Sequence, residues 1–205
     1  AIIGHFFNPT TEVIYELKKI YENVKSCIVF HEGPSGMKKH YPKNGREILD
    51  SYDIIGFRHK TMGEWYENTF GKLNRTFVCY SGTKPTYLET KCTVDKQFDN
   101  SALTKFLYVG QFTYNKCVKA NIEALNICYP NREFHMTCIG SGGTALDEIK
   151  TYIRDEKLEN NISFTGQIDR DKIIEYSDKN QCFVMTSKSE AFGLVYLEAM
   201  ARGCI

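Results

Sequence analysis

Short apolar runs alternate with stretches of helical period almost throughout the chain, the pattern of an α/β protein with parallel strands. Ile2–Ile3 and Ser26–Phe30 read as strands, with a helix over 12–22 between them whose apolar positions Val13, Leu17, Ile20 and Tyr21 recur near every 3.6 residues. Runs at 52–57 and 76–80 predict two more strands, separated by a helix over 62–70. The segment from Gly82 to Thr104 is polar and weakly periodic. It contains Pro85 and Asp99-Asn100-Ser101, and the domain junction belongs there. The alternation then restarts. Strands are expected over 105–109, 134–139, 161–164 and 181–185, with helices over 116–127, 144–155, 170–177 and 193–202. The reading is two parallel-sheet halves, 1–84 and 105–205, joined by a linker over 85–104.

Composition narrows the class. With 205 residues, 42% hydrophobic, 25% charged and 13% aromatic, the chain is expected to build packed cores. A net charge of +1 with scattered basic residues gives no nucleic-acid footprint. No apolar run approaches the roughly 20 residues of a membrane-spanning helix, and no signal peptide is evident, which leaves peripheral membrane attachment open. The eight cysteines form no C-x-x-C pair and match no zinc spacing, so buried thiols in a reducing cytosol are expected. The chain opens on Ala-Ile-Ile-Gly and closes on Gly-Cys-Ile, and both ends read as cuts through a longer fold.

In an open parallel sheet, ligands gather at the carboxyl ends of the strands. Four loops of the second half lie there. In the first, Gly110 and Gln111 precede Lys116, whose ammonium could meet a phosphate or simply be solvated. In the second, Gly140-Ser141-Gly142-Gly143-Thr144-Ala145 fits G-x-G-x-x-A, a dinucleotide fingerprint, although it follows the second strand of its half and not the first. In the third, Asp169 and Asp171 could hold a metal, but they also stand where a helix cap and first turn favour acidic residues. The fourth runs from Thr186 to Met200. There the amides of Phe192, Gly193 and Leu194 open a helix and offer positive partial charge to a diphosphate. Glu190 and Glu198 flank that start and could accept hydroxyls, or could be glutamates that the helix dipole favours.

Ser189-Glu190-Ala191-Phe192-Gly193-Leu194 followed by Glu198-Ala199-Met200 resembles the E-x7-E signature of the retaining glycosyltransferases of family 4, a GT-B group. Phe106–Gly110, Lys116, Ile139–Gly142 and Phe164–Gly166 match in the same order, so the resemblance covers 105–205. It implies a GT-B fold with both Rossmann-like halves truncated, and no metal or other cofactor. It also implies hexosyl transfer from a nucleotide-diphosphate sugar to a glycan or lipid-linked glycan, with retention, at the cytosolic face of the membrane. Glu198 would bind ribose hydroxyls and Glu190 the donor sugar. The 192–194 amides and Lys116 would hold the diphosphate, Gly110 with Gln111 would approach it, and Gly140 and Gly142 would line the cleft. Gly166 through Ile168 would pack near the base. Gln111 stands where the family usually carries arginine. In the first half, His31 matches a strand-end histidine near the reacting carbon in some members. The alternatives are an NAD-binding oxidoreductase, which would use Gly140–Ala145 and leave both glutamates idle, and a non-catalytic remnant of the transferase fold. A 205-residue piece with an incomplete acceptor half is expected to be inactive alone.

Overall fold

The apolar runs form two four-stranded parallel sheets in a computed structural model of the chain, which describes residues 1–5, 9–33, 44–92, 94–98, 103–190 and 192–205. Two compact units result: Ala1–Gly82 with Glu190–Phe192, and Thr83–Ser189 with Gly193–Ile205.

In the first unit, β1 (Ile2–His5), β2 (Ser26–Phe30), β3 (Ile54–Phe57) and β4 (Thr76–Val78) lie side by side in chain order. β2 is buried on both faces through Ile28, Val29 and Phe30, as a central parallel strand must be. Helices α1 (Pro9–Ile20), α2 (Gly45–Ser51) and α3 (Lys60–Phe70) connect the strands. The inward face of α1 differs from the expected one: Thr11, Ile14 and Tyr15 are buried, while Val13, Ile20 and Tyr21 are exposed. A polar anchor explains the rotation. Lys18 reaches inward to Asp53 at 2.8 Å and to the Ser26 hydroxyl at 2.9 Å, and its ammonium also meets the Ser51 carbonyl. The expected strand over 52–57 begins only at Ile54. Tyr52 instead ends α2 and is buried, and Asp53 accepts from the Ser26 amide at 2.8 Å.

The second unit has strand order β7-β6-β5-β8, with β5 (Lys105–Val109), β6 (His135–Ile139), β7 (Ile162–Gly166) and the short β8 (Cys182–Phe183). The chain therefore steps outward from β5 in one direction and then crosses back to β5's other side, so β5 and β8 flank a topological switch point. Connecting helices are α4 (Thr86–Glu89), α5 (Val118–Cys128), α6 (Leu146–Asp155), α7 (Arg170–Lys179) and α8 (Leu194–Ala201). α4 falls in the segment read from sequence as a featureless junction. Its Tyr87 is only 1% exposed. The core gathers Tyr108, Phe112, Ile122, Met136, Cys138, Ile149 and Leu158 between sheet and helices. Ile205 exchanges backbone hydrogen bonds with Gln181 and Phe183 beside β8. The expectation of buried thiols holds for part of the set: Cys138, Cys182 and Cys204 are buried, but Cys92 and Cys128 are exposed.

Candidate nucleotide-binding edge

The carboxyl ends of β5, β6 and β7 are laced together by main chain. Gly110 N donates to Ile139 O at 2.9 Å, Phe112 N to Gly142 O at 3.0 Å, Ala145 N to Phe112 O at 2.8 Å, and Gly140 N to Gly166 O at 3.0 Å. The glycines make this possible. A Cβ on Gly140 would lie 2.0 Å from Gly110 O, and one on Gly143 would lie 2.4 Å from Phe112 O. Both residues also have positive φ, +144° and +116°. Loop-on-loop packing thus accounts for Gly140 and Gly143, but not for Gly142, the second glycine of the G-x-G-x-x-A pattern. The turn also extends to Ala145, so α6 begins only at Leu146. This does not favour the dinucleotide reading. Gly142 (φ +61°) and Gly166 (φ +72°) face open space, and the half-buried Ile168 follows Gly166.

The first loop departs from expectation at Lys116. It sits in a 3-10 turn, Tyr114–Lys116, and not in the first turn of a helix, because Cys117 turns left-handed at φ +52° before α5 starts at Val118. The cause is a bond across the switch point: Asn115 O accepts from Lys188 N at 2.8 Å, and the Asn115 side-chain amide donates to Ser189 O at 2.8 Å. The loops after β5 and β8 are therefore tied to each other, with the half-buried Lys116 in the tie. Gln111 is exposed, and its carbonyl takes the Tyr108 hydroxyl at 2.6 Å.

In the fourth loop, Gly193 caps α8 in a left-handed conformation (φ +72°), where a Cβ would strike the Tyr196 ring at 2.6 Å. Tyr196 in turn donates to Met185 O at 2.6 Å, fixing the helix start to the strand end. The first bond of the helix runs from Tyr196 N to Gly193 O, with Leu194 between them. Glu190 is exposed and, like Phe192, groups with the first unit. Glu198 is not a solvent-facing helical glutamate: it is 7% exposed, and burial raises its carboxyl above the usual carboxylate range. Arg170, 4.0 Å away, and Tyr87 oppose that rise. Sequence reasoning missed both partners. Arg170 was legible only as a helix-start residue, and Tyr87 lay in the polar junction.

In the first unit, His31 follows the end of β2 and pairs with His5 at the end of β1, Nδ1 of His5 to Nε2 of His31 at 2.9 Å. Partial burial, Arg58 and His5 lower the His31 pKa, so its neutral form is favoured at neutral pH. Asp171 lies in the first turn of α7, and Asp169 stands at its N-cap position without a side-chain capping bond. Among the described residues no cluster of three or more His, Cys, Asp or Glu could hold a metal, and no helix is long and apolar enough to cross a membrane. A cavity of about 630 Å3 between α4 and α7, lined by Thr86, Lys91, Asp171 and Asp178, includes Asp171 but none of the residues read as donor-binding.

The family described as "Glycosyl transferases group 1" matches residues 94–205. A poly(glycerol-phosphate) alpha-glucosyltransferase of Bacillus subtilis is 24% identical over 202 residues, 96% of this chain and 28% of that protein. An alpha-monoglucosyldiacylglycerol synthase of Streptococcus pneumoniae is 25% identical over 97 residues, 47% of this chain and 22% of that protein. The chain thus spans less than a third of either relative. Among solved structures, sucrose-phosphate synthase from Thermosynechococcus elongatus superposes with a TM-score of 0.76 at 19% identity, covering 99% of this chain and 54% of that one. Anabaena HepE in complex with UDP and glucose does so with 0.72 at 17%, covering 98% and 57%. These neighbours are GT-B glycosyltransferases, and the two parallel sheets share their fold. The family match covers more than half of the chain and includes every loop at the carboxyl edge of the second sheet, and the chain belongs to the group 1 glycosyl transferases.

Proposed function

We propose that this chain carries the donor-binding half, 105–205, and part of the acceptor half, 1–84, of a retaining, metal-independent hexosyltransferase of the family 4 type. The observation that carries the reading is Glu198. It is a buried carboxylate at the switch-point edge of a parallel sheet, beside a helix start that suits a diphosphate. Glu198 takes the ribose hydroxyls of a nucleotide-diphosphate sugar and Glu190 those of the sugar, the two forming an E-x7-E pair. Lys116, with the amides of Phe192, Gly193 and Leu194, offsets the diphosphate charge. Gly110 and Gln111 approach the phosphates, Gly140 and Gly142 line the cleft, and Gly166 to Ile168 border the base. His31 stands on the acceptor side. The acceptor hydroxyl forms its bond to the anomeric carbon on the face from which the diphosphate departs, and the diphosphate receives the hydroxyl proton. The acceptor is a glycan or lipid-linked glycan; the names of the two relatives, with a glycerol-phosphate polymer and a diacylglycerol, support the broader class of hydroxyl-bearing polymers and lipids. The work is done in the cytoplasm, at the inner membrane face.

The test is a thermal-shift titration of the full-length protein with UDP-, GDP- and ADP-sugars and with NAD. Stabilisation by one of the sugar nucleotides, reduced in Glu198→Ala, supports the reading. Stabilisation by NAD alone would sink it, and an unchanged Glu198→Ala variant would favour a remnant fold. Turnover is expected to survive EDTA and to be absent from residues 1–205 alone.

A further inference from the structure

The Glu198 carboxylate is desolvated, and what faces it is uneven. From α7 comes Arg170, 4.0 Å away and more than half exposed, so its charge is screened by solvent. Lys84, just before α4, adds a more distant positive charge. From α4 itself comes Tyr87, 1% exposed, whose hydroxyl is near enough to the carboxylate to favour its ionised form but falls outside full hydrogen-bond geometry. A buried hydroxyl with no partner is uncommon and costs free energy. Burial and the Glu198 charge push its pKa up to about 12, so it remains an O–H donor at neutral pH.

The segment bearing Tyr87 is firmly held. Arg202, itself 4% exposed, donates to Tyr87 O at 3.0 Å and Thr90 O at 2.6 Å. Its guanidinium is fixed by a two-pronged pair with buried Asp178, at 2.7 and 2.8 Å. A four-residue helix is thus clamped by a buried ion pair, and what it delivers is one unpartnered donor beside one buried acceptor. Core packing alone would be served as well by phenylalanine.

We infer that Tyr87 is a positioning residue, whose hydroxyl aims the Glu198 carboxylate at the ribose of the bound nucleotide. This rests on the reading of Glu198 given above. Removal of the hydroxyl leaves the clamp and the ring in place but frees the carboxylate to rotate. It also withdraws a donor that favours the ionised form, so Glu198 takes up a proton at higher pH.

The experiment uses the full-length protein and whichever of UDP, GDP and ADP it binds, with the 2′,3′-dideoxy form of the same nucleotide as control. Tyr87→Phe is expected to weaken ribonucleotide binding about tenfold, the weight of a hydrogen bond to a charged group. Dideoxynucleotide binding and melting temperature should stay unchanged, and the acid limb of ribonucleotide affinity should move to higher pH. In a Glu198→Gln background the Tyr87→Phe effect should vanish. If Glu198→Gln weakens ribonucleotide binding but Tyr87→Phe matches the parent at every pH, the inference is overturned and the reading of Glu198 stands. If Tyr87→Phe weakens both nucleotides equally while lowering the melting temperature, Tyr87 is structural and the inference is overturned as well. If Glu198→Gln binds both nucleotides as the parent does, the underlying reading fails and takes the inference with it.

Discussion

Substitution of Gly140 by alanine tests whether loop-on-loop packing builds the candidate nucleotide-binding edge. The added Cβ would stand 2.0 Å from Gly110 O and 2.9 Å from Gly110 C, both backbone atoms that cannot swing aside. At φ +144° an alanine is also in a region essentially reserved for glycine, at a cost of about 1–3 kcal/mol. Relief of the contact requires the β5 and β6 loops to part by roughly 1.5 Å, about the gap to ordinary van der Waals distance. That displacement breaks or stretches two main-chain bonds, Gly110 N to Ile139 O and Gly140 N to Gly166 O, worth about 1 kcal/mol each. The sum is about 3–5 kcal/mol, a large share of the roughly 5–15 kcal/mol that holds a domain folded. Gly142, two residues on, is the internal control. Its φ is +61°, and nothing lies within 4 Å of its Cβ position, so alanine there costs only the left-handed penalty of about 1–2 kcal/mol. Urea unfolding of both variants, followed by far-UV circular dichroism, reads the difference. Were Gly140→Ala no less stable than Gly142→Ala, Gly140 would not be explained by packing, and the dinucleotide reading would have to be reconsidered.

Arg202→Ala strands the Asp178 carboxylate in the interior and releases the Tyr87 and Thr90 carbonyls, so a loss of about 3 kcal/mol or more is expected on urea unfolding. Paired replacement, Asp178→Leu with Arg202→Met, should cost less than Arg202→Ala alone; the reverse order would contradict the desolvation argument. In the first unit, Lys18 and the Ser26 amide hold the Asp53 carboxyl well below the usual carboxylate range. Its contribution is therefore present above the ordinary value of about 4 and is lost as pH falls through the lowered native value. Asp53→Asn should cost about 1–2 kcal/mol at pH 7, after allowance for its partial exposure, and flatten the acid side of the stability profile; an unchanged profile argues against it. For the donor site, Lys116→Ala should weaken nucleotide-diphosphate binding about tenfold by calorimetry, and Gln111→Arg should strengthen it. Equal affinities in all three proteins would remove the diphosphate from this loop.

Where a buried strand is a short dense apolar run, the sequence was enough: Ser26–Phe30 and Lys105–Val109 were read at the bounds the structure gives. Where a polar side chain decides the packing, it was not. α1 turns its Ile14 and Tyr15 face inward because Lys18 is drawn to Asp53, a partner 35 residues away. α2 carries only Ile48 and Leu49 as buried apolar side chains, too few for a period to declare itself. Lys116 fell outside its helix because Asn115 bonds to the loop after β8, a contact no local pattern records. The four loops at the strand ends were legible because glycine and turn chemistry mark them. The surroundings of Glu198 were not, since α4 is four residues long and holds one buried residue, Tyr87, too few for a period to show.

The burial of Glu198 did leave a trace in the sequence. Leu194–Ala201 contains a single charged residue in an otherwise apolar helix, and such a charge has little polar company on any face. Its native carboxyl holds its proton more tightly than an unfolded one would. The cost of keeping it folded is therefore absent at acid pH, appears as pH rises past the ordinary value of about 4.3, and is complete above the raised native value. Wherever the pH exceeds that raised value the protein bears this cost, and a half-exposed Arg170 4.0 Å away returns little of it. Stability alone would favour an uncharged residue at this position. What a desolvated carboxylate offers instead is an acceptor that a ligand's hydroxyls can satisfy without competing water, with Tyr87 on a clamped turn to hold it in register. The same burial that costs stability would, under the proposed reading, strengthen the hold of Glu198 on a polyhydroxylated ligand, as expected of a binding residue and not of a structural one.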